Sequence, residues 1–390
     1  TLLELSKIHK NKRILYLAFN KNLITEIQSK LKNQKINNLH PKTFDSLMRN
    51  IYCHHNNEPQ HIDDLRPNTL HLKISWFQNK NWRIKKQCIN YLTKFCRQVE
   101  FTKIDDYCKD KFGKTMPLLK MMWEKVVKSY IITFDSIRKL VHINHWAKNY
   151  IDKHYDMIFI DEAQDFDELM LDILLKDTNI PKIFVGDTLQ AIYQWRGSIN
   201  AFNKLPENTL FIEFYSSFRV GNPACDRIKN MFDKCWMISK SKNNTYFDNN
   251  LSECKQYVYL FRSWKYLLLN AQEHSNIYIY GYDEKEKGII NLHEKLLKYS
   301  LSEEEKQEME DDLPLFLLTY TPYQLRDLLS KVRLNLVSKD KATCLMYTIH
   351  SFKGCEHENV KLCEDITEDE ENLLYVALTR GLKKISYQNI

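Results

Sequence analysis

The sequence predicts an α/β fold on parallel sheets, in two domains, with a helical insertion in the first. Two patterns and the length predict it. Apolar runs without alternation recur as ILYLAF from Ile14, MIFI from Met157 and IFV from Ile183. Such runs fit strands buried on both faces. Stretches of helical spacing stand between them, the order of a parallel sheet. With 390 residues, 43% hydrophobic and 27% charged, the chain can bury the cores of two or three domains. The net charge of +7 is compatible with a polyanion partner. Ten scattered cysteines with no C-x-x-C pair suggest a reducing, intracellular setting. Nucleus, cytoplasm and a viral origin all fit. No run of 18 apolar residues predicts a membrane span, and no signal-peptide pattern is present.

In order, TLLELSKI reads as the tail of a helix, with Leu2, Leu3, Leu5 and Ile8 on one face. ILYLAF is a buried strand, followed by a helix to about Leu31. LHPKTFDSLM from Leu39 is a short strand and a helix start, with Asp45 or Ser46 as cap. Residues 50–115 read as an inserted helical subdomain. Its Trp76-Phe77, Trp82 to Lys86 and Tyr91 to Arg97 interleave rings with basic residues, as single-strand binders and ordinary amphipathic helices both do. Cys53-His54-His55 with His61 matches no zinc template. Residues 116–150 are helical again. Later strands are expected at Phe211 to Phe214, Tyr257 to Phe261, Ile277 to Tyr280, Leu315 to Thr319, Thr343 to Ile349 and Val360 to Leu362. Residues 238–256 form an Asn-rich loop, SEEEKQEMEDD from Ser302 a solvated charge run, and Asn372 to Lys384 an amphipathic helix.

The chemistry gathers at strand ends. Asp161 and Glu162 follow MIFI directly. A carboxylate there can hold Mg²⁺ on a nucleotide, and its neighbour can orient a water. The same pair also suits a plain helix N-terminus. After IFV come Gln190, Tyr193, Trp195 and Arg196. Gln190 can sense a terminal phosphate, and the rings offer faces to bases or simply pack in the core. Arg219 offers a planar fork to phosphate, or is a surface residue. Arg380 stands near a helix end, where an arginine ordinarily offsets the dipole.

Taken together, the blocks resemble the UvrD/PcrA-like branch of superfamily 1 DNA helicases, over most of the chain and in order. ILYLAFNK resembles motif Ia, KTFDSL motif Ib, FIDEAQD motif II and FVGDTLQAIYQWRGS motif III. YSSFRVG resembles motif IV, TIHSFKGCEHENV motif V and ENLLYVALTRGLKK motif VI. RGSINAF and SFRVG look most like the F-box DNA helicase group, although no F-box is present. The resemblance implies two RecA-like P-loop NTPase domains. Residues 1–49 and 116–214 would form the first and 50–115 its helical insertion; 215–390 would form the second, with a reduced insertion near 262–340.

It further implies ATP and Mg²⁺ as cofactors. Asp161 would hold Mg²⁺ through its water shell, Glu162 would activate water, and Gln190 would contact the γ-phosphate. Arg219 and Arg380 would be arginine fingers, and Glu356 would meet the nucleotide sugar. Phe19, Tyr193 and Trp195 would stack on bases; Thr43, Arg196, His350 and Lys353 would line the strand path. The partner would be single-stranded DNA, or DNA with a 3′ single-stranded tail. Movement would run 3′ to 5′, in repair, recombination or replication. Two departures matter. Asp45 stands where the family usually has His. The GxxxxGK[ST] loop is absent, and with the non-Met start this leads us to expect a chain truncated before Thr1. The alternative is a DNA-binding remnant that no longer hydrolyses ATP.

Overall fold

Parallel strands need crossover connections, and the chain supplies helices of suitable length between its strands. The computed structural model describes residues 2–19, 21–56, 82–114, 116–128, 133–194, 197–298 and 312–388. They fall into two units, Thr1–Thr209 and Leu210–Ile390.

In the first unit α1 (Leu2–Ile8), β1 (Ile14–Ala18), α2 (Lys21–Gln34), β2 (Leu39–Thr43) and α3 (Phe44–Asn56) come first. Three helices follow, α4 (Trp82–Arg97), α5 (Ile104–Phe112) and α6 (Pro117–Lys128), then α7 (Phe134–Ile143) and α8 (Ala147–His154). β3 (Met157–Ile160), α9 (Glu168–Lys176) and β4 (Lys182–Phe184) complete it. The sheet runs β2-β1-β3-β4, all parallel, with Tyr16 opposite Phe159 and Leu17 opposite Ile160. Strand alternation sorts its two faces. Leu15, Leu17, Ile158 and Ile160 pack with α3, α7 and α9. Ile14, Tyr16, Ala18 and Phe159 pack with α1 and α2. The apolar runs of β1 and β3 are therefore consumed on both sides, whereas β4, last in the strand order, is only half-buried, which corrects the expectation for IFV. Helices α4, α5 and α6 share a separate core around Leu92, Phe95, Tyr107 and Met122.

The second unit holds β5 (Ser216–Ser217), α10 (Ala224–Met231), β6 (Ile238–Ser239), β7 (Tyr246–Phe247), β8 (Tyr257–Phe261), α11 (Trp264–Ala271) and β9 (Ile277–Ile279). Then come α12 (Tyr282–Lys298), α13 (Asp312–Leu318), α14 (Pro322–Asn335), β10 (Cys344–Thr348), α15 (Ile349–Phe352), β11 (His357–Leu362), α16 (Glu371–Leu378) and β12 (Gly381–Ser386). Its main sheet is β7-β12-β11-β8-β10-β9, with every paired strand parallel. The α/β class with parallel sheets expected from sequence, consistent with a RecA-like helicase fold, is what the chain forms. No described helix is long and apolar enough to cross a membrane.

Several local expectations are corrected. Leu315 to Thr319 lies not in a strand but in and just after α13, because Pro314 sits in the first turn, where proline lacks no needed bond. The C-terminal helix stops at Leu378, and Gly381 begins a strand beside β11. The Asn-rich loop contains the short strands β6 and β7. Thr43, not Asp45 or Ser46, caps α3, its hydroxyl oxygen accepting from Ser46 N at 3.1 Å. Ile8 is 73% exposed and leaves the face that Leu2 buries. Phe211 to Phe214 forms no strand, with Phe211 56%, Ile212 69% and Phe214 74% exposed. Trp76, Phe77, His61 and residues 302–311 lie outside the described residues.

Candidate functional site

The described candidate residues of the first unit sit at the C-terminal ends of its parallel strands, or just beyond. Phe19 follows β1, Thr43 ends β2, Asp161 and Glu162 follow β3, and Gln190 follows β4. Ligands of open parallel sheets bind at that edge. Asp161 continues the alternation of β3 onto the Tyr16 face. The buried Tyr16 phenol donates to Asp161 Oδ2, and Glu162 N donates to Oδ1 at 3.1 Å. Burial pushes the Asp161 carboxyl above its ordinary range, and the Tyr16 bond opposes that push.

Glu162 has φ 52° and ψ 46°, left-handed for a residue with a Cβ. Such strain persists where surrounding bonds over-determine it, and it clusters at working sites. Those bonds are visible. Ala163 N donates to Val185 O at 3.0 Å, tying the acidic turn to the end of β4. Gln164, fully buried, donates from Nε2 to Glu162 Oε2 at 2.5 Å and accepts from Asp187 N at 3.2 Å. Gly186 makes room: a Cβ there would lie 2.2 Å from Gln164 Oε1. Asp187 Oδ2 in turn accepts from Gln190 Nε2 at 2.9 Å. The structure thus brings Asp161, Glu162 and Gln190 into one hydrogen-bonded chain through Gln164 and Asp187.

Phe19 and Tyr193 meet with ring centroids 5.8 Å apart, so β1 and the turn after β4 present neighbouring rings. Trp195 and Arg196 lie outside the described residues.

In the second unit, Arg219, Glu356 and Arg380 come together near the starts of β11 and β12. Arg219 Nε donates to Glu356 Oε2 at 2.8 Å across a half-exposed ion pair. Arg380 is 1% exposed. Its Nε donates to Val376 O at 2.8 Å, its Nη1 reaches Cys355 O at 3.5 Å, and its Nη2 donates to Thr379 Oγ1 at 3.2 Å. Arg380 does not lie within the helix expected over Asn372 to Lys384: it sits in the turn between α16 and β12. His350 and Lys353 are elsewhere, on and just after α15 as the chain leaves the C-terminal end of β10.

Sequence reasoning passed over Tyr16, Gln164, Gly186 and Asp187. Gln164 and Asp187 carry a signal, because polar residues directly after buried strands must find partners. Tyr16 carries none, as a ring in an apolar run reads as core. Among the described residues no group of three His, Cys, Asp or Glu is arranged to hold a metal. Asp161 nonetheless suits a hard cation met through water. Each carboxylate oxygen takes one hydrogen bond and retains a second acceptor direction.

Residues 2–209 match the UvrD/REP helicase N-terminal domain family. Among characterised relatives, F-box DNA helicase 1 of Gallus gallus is 25% identical over 329 residues, 68% of this chain and 32% of that protein. F-box DNA helicase protein 1 of Schizosaccharomyces pombe is 26% identical over 359 residues, 74% of this chain and 40% of that protein. Gabija protein GajB of Bacillus cereus is 44% identical over 91 residues, 22% of this chain and 18% of that protein. The chain thus spans well under half the length of these relatives. A family match over more than half of the chain, on a fold and motif order that agree with it, places this protein in the UvrD/REP helicase family.

Proposed function

We propose that the chain is the motor portion of an ATP-dependent DNA helicase or translocase that moves 3′ to 5′ on single-stranded DNA. The observation that carries the proposal is the strained, half-buried turn at Asp161–Glu162. It is tied through Gln164 and Asp187 to Gln190, all at the ligand-binding edge of a parallel sheet. Phosphoryl transfer asks a protein for placed charge and a placed water, with little covalent chemistry.

In this reading Asp161, aimed by Tyr16, holds the hydrated Mg²⁺ of the nucleotide. That ion, when bound, offsets phosphate charge. Glu162 takes a proton from the attacking water. Gln164 fixes the Glu162 carboxylate, so the base does not swing away. Gln190 senses the terminal phosphate from its seat on Asp187. Arg219 and Arg380 stabilise the charge that grows as the phosphate bond breaks. Glu356 exchanges its bond to Arg219 for one to the nucleotide sugar. Phe19 and Tyr193 stack bases, with Thr43, His350 and Lys353 along the strand. Trp195 and Arg196 are assigned to the strand by the motif alone. Substrates would be single strands or 3′-tailed duplexes, in repair, recombination or replication.

Glu162→Gln tests the reading in a protein that carries the GxxxxGK[ST] loop which the 390-residue sequence lacks. DNA-stimulated ATP hydrolysis should fall by about 10²- to 10⁴-fold with nucleotide binding retained. Unchanged hydrolysis removes Glu162 from its role. The second reading is a strand-binding remnant without turnover. In-frame codons for GKT or GKS just upstream of Thr1 would discard it. A start codon there without such a loop would establish it.

A further inference from the structure

Thr43 ends β2 and caps α3, and the two residues after it are both fastened to the segment that follows the acidic turn. Phe44 meets Phe166 edge-on, with centroids 5.7 Å apart and each ring 1% exposed. Asp45 Oδ1 accepts from Arg138 Nε at 2.6 Å and lies 2.6 Å from Nη2. Arg138 Nη1 lies 3.3 Å from Asp167 Oδ2. Two consecutive residues of one element are thus joined to two consecutive residues of another, once through rings and once through a guanidinium. Asp167 is itself fixed, because Oδ1 caps α9 by accepting from Met170 N at 2.8 Å. Arg138 also reaches Asp135 at 3.6 Å, and Asp135 receives Arg97 from α4 at 3.3 Å.

A guanidinium 8% exposed among three carboxylates is a poor way to gain stability, since desolvation offsets most of the attraction. The ring pair alone would hold the elements together. What the planar fork adds is direction, because it bonds each carboxylate along a fixed line. It also accounts for the acidic residue at position 45, where the family usually has His.

We propose that Arg138 is a positioning residue for strand binding. Acting through Asp45, it holds the Thr43 turn in register with the segment after Glu162. This rests on the reading of Thr43 as a strand contact, and the experiment separates the two. The probe is a fluorescent oligo-dT titrated by anisotropy against the 390-residue chain and its variants. Thr43→Ala should weaken binding. Asp45→Asn and Arg138→Lys should each weaken it by about tenfold, the effect of a lost charge-assisted bond. The double variant should bind no worse than the weaker single, because the two side chains act through one another.

Asp45 is partly exposed, so Asp45→Asn should melt within a few degrees of the unaltered chain and decides the matter if Arg138→Lys folds badly. If Thr43→Ala binds normally, the contact and its positioning both fall. If Thr43→Ala is weak while folded Asp45→Asn binds normally, only the positioning falls. Effects that simply add in the double variant also overturn it.

Discussion

The two units hold their candidate residues by opposite means. In the first, the acidic residues are aimed by a phenol, an amide side chain and a backbone N–H, on a backbone forced left-handed at Glu162. None of those donors carries a charge. In the second, one arginine rests in a half-exposed ion pair and the other is buried against main-chain carbonyls and a hydroxyl. Neutral donors preserve negative charge where a cation is wanted. Carbonyl acceptors preserve positive charge where an anion is wanted.

The largest test of this contrast falls on the arginines. Arg380→Ala and Arg219→Ala should each lower turnover of a loop-bearing protein by about 10³-fold. Only Arg380→Ala should also lower the melting temperature, since it alone empties the space of a side chain 1% exposed and removes its bonds to Val376 O and Thr379 Oγ1. Equal melting temperatures would break the distinction between a buried and a half-exposed arginine.

A smaller effect comes from Lys139, a buried lysine on α7 of the first unit. It is fully buried and donates to Gln98 O at 2.5 Å, with its ammonium 4.8 Å from the Phe95 ring. Burial pulls it down to about 8. Below pH 8 both states carry the proton and the folded one bears the desolvation cost. Between pH 8 and the unfolded value near 10.5 the unfolded chain binds more protons, so stability rises with pH, by about 2–3 kcal/mol in all. Urea denaturation at pH 7.5 and 10 should show this rise, and Lys139→Met should flatten it. An unchanged slope in the variant would assign the rise to other groups.

Tyr193→Ala should weaken single-strand binding by about 1–3 kcal/mol, read by oligonucleotide anisotropy. No loss would return the Phe19–Tyr193 pair to a packing role. The smallest effect belongs to Glu356→Gln. Its half-exposed ion pair should contribute no more than about 1 kcal/mol to folding. A thermal melt showing a much larger loss would make this pair an anchor of the second unit, not a resting place for Arg219.

Much of this was legible in the residues. Met157 to Ile160 and Tyr257 to Phe261 read correctly because strands buried on both faces need apolar residues at every position. Asp161 was legible as a polar group directly after such a run, and Gln190 as a polar group a few residues beyond one. Other features depended on tertiary partners. Glu162 is left-handed because β4 and Gln164 pull on its turn, which no local signal encodes. Tyr16 looks like core until Asp161 lies beside it. Leu315 to Thr319 has a strand's composition, but its place against Leu296 and Leu329 in the second unit's core suits a helix. Gly381 reads as a tolerated helix glycine until β11 offers it a ladder. The acidic residue at position 45 made sense only with Arg138 in view.

Leu210 to Tyr215 carries a practical consequence. LFIEFY is six residues of high strand preference with one charge and no proline, and its apolar side chains stand in solvent. Such a window is the kind that self-associates into stacked sheets. Glu213, engaged by the Tyr215 hydroxyl, is its only gatekeeper. Concentrated preparations of this chain should therefore cloud first through that segment, and a lysine or proline placed within it is the change that should keep them clear.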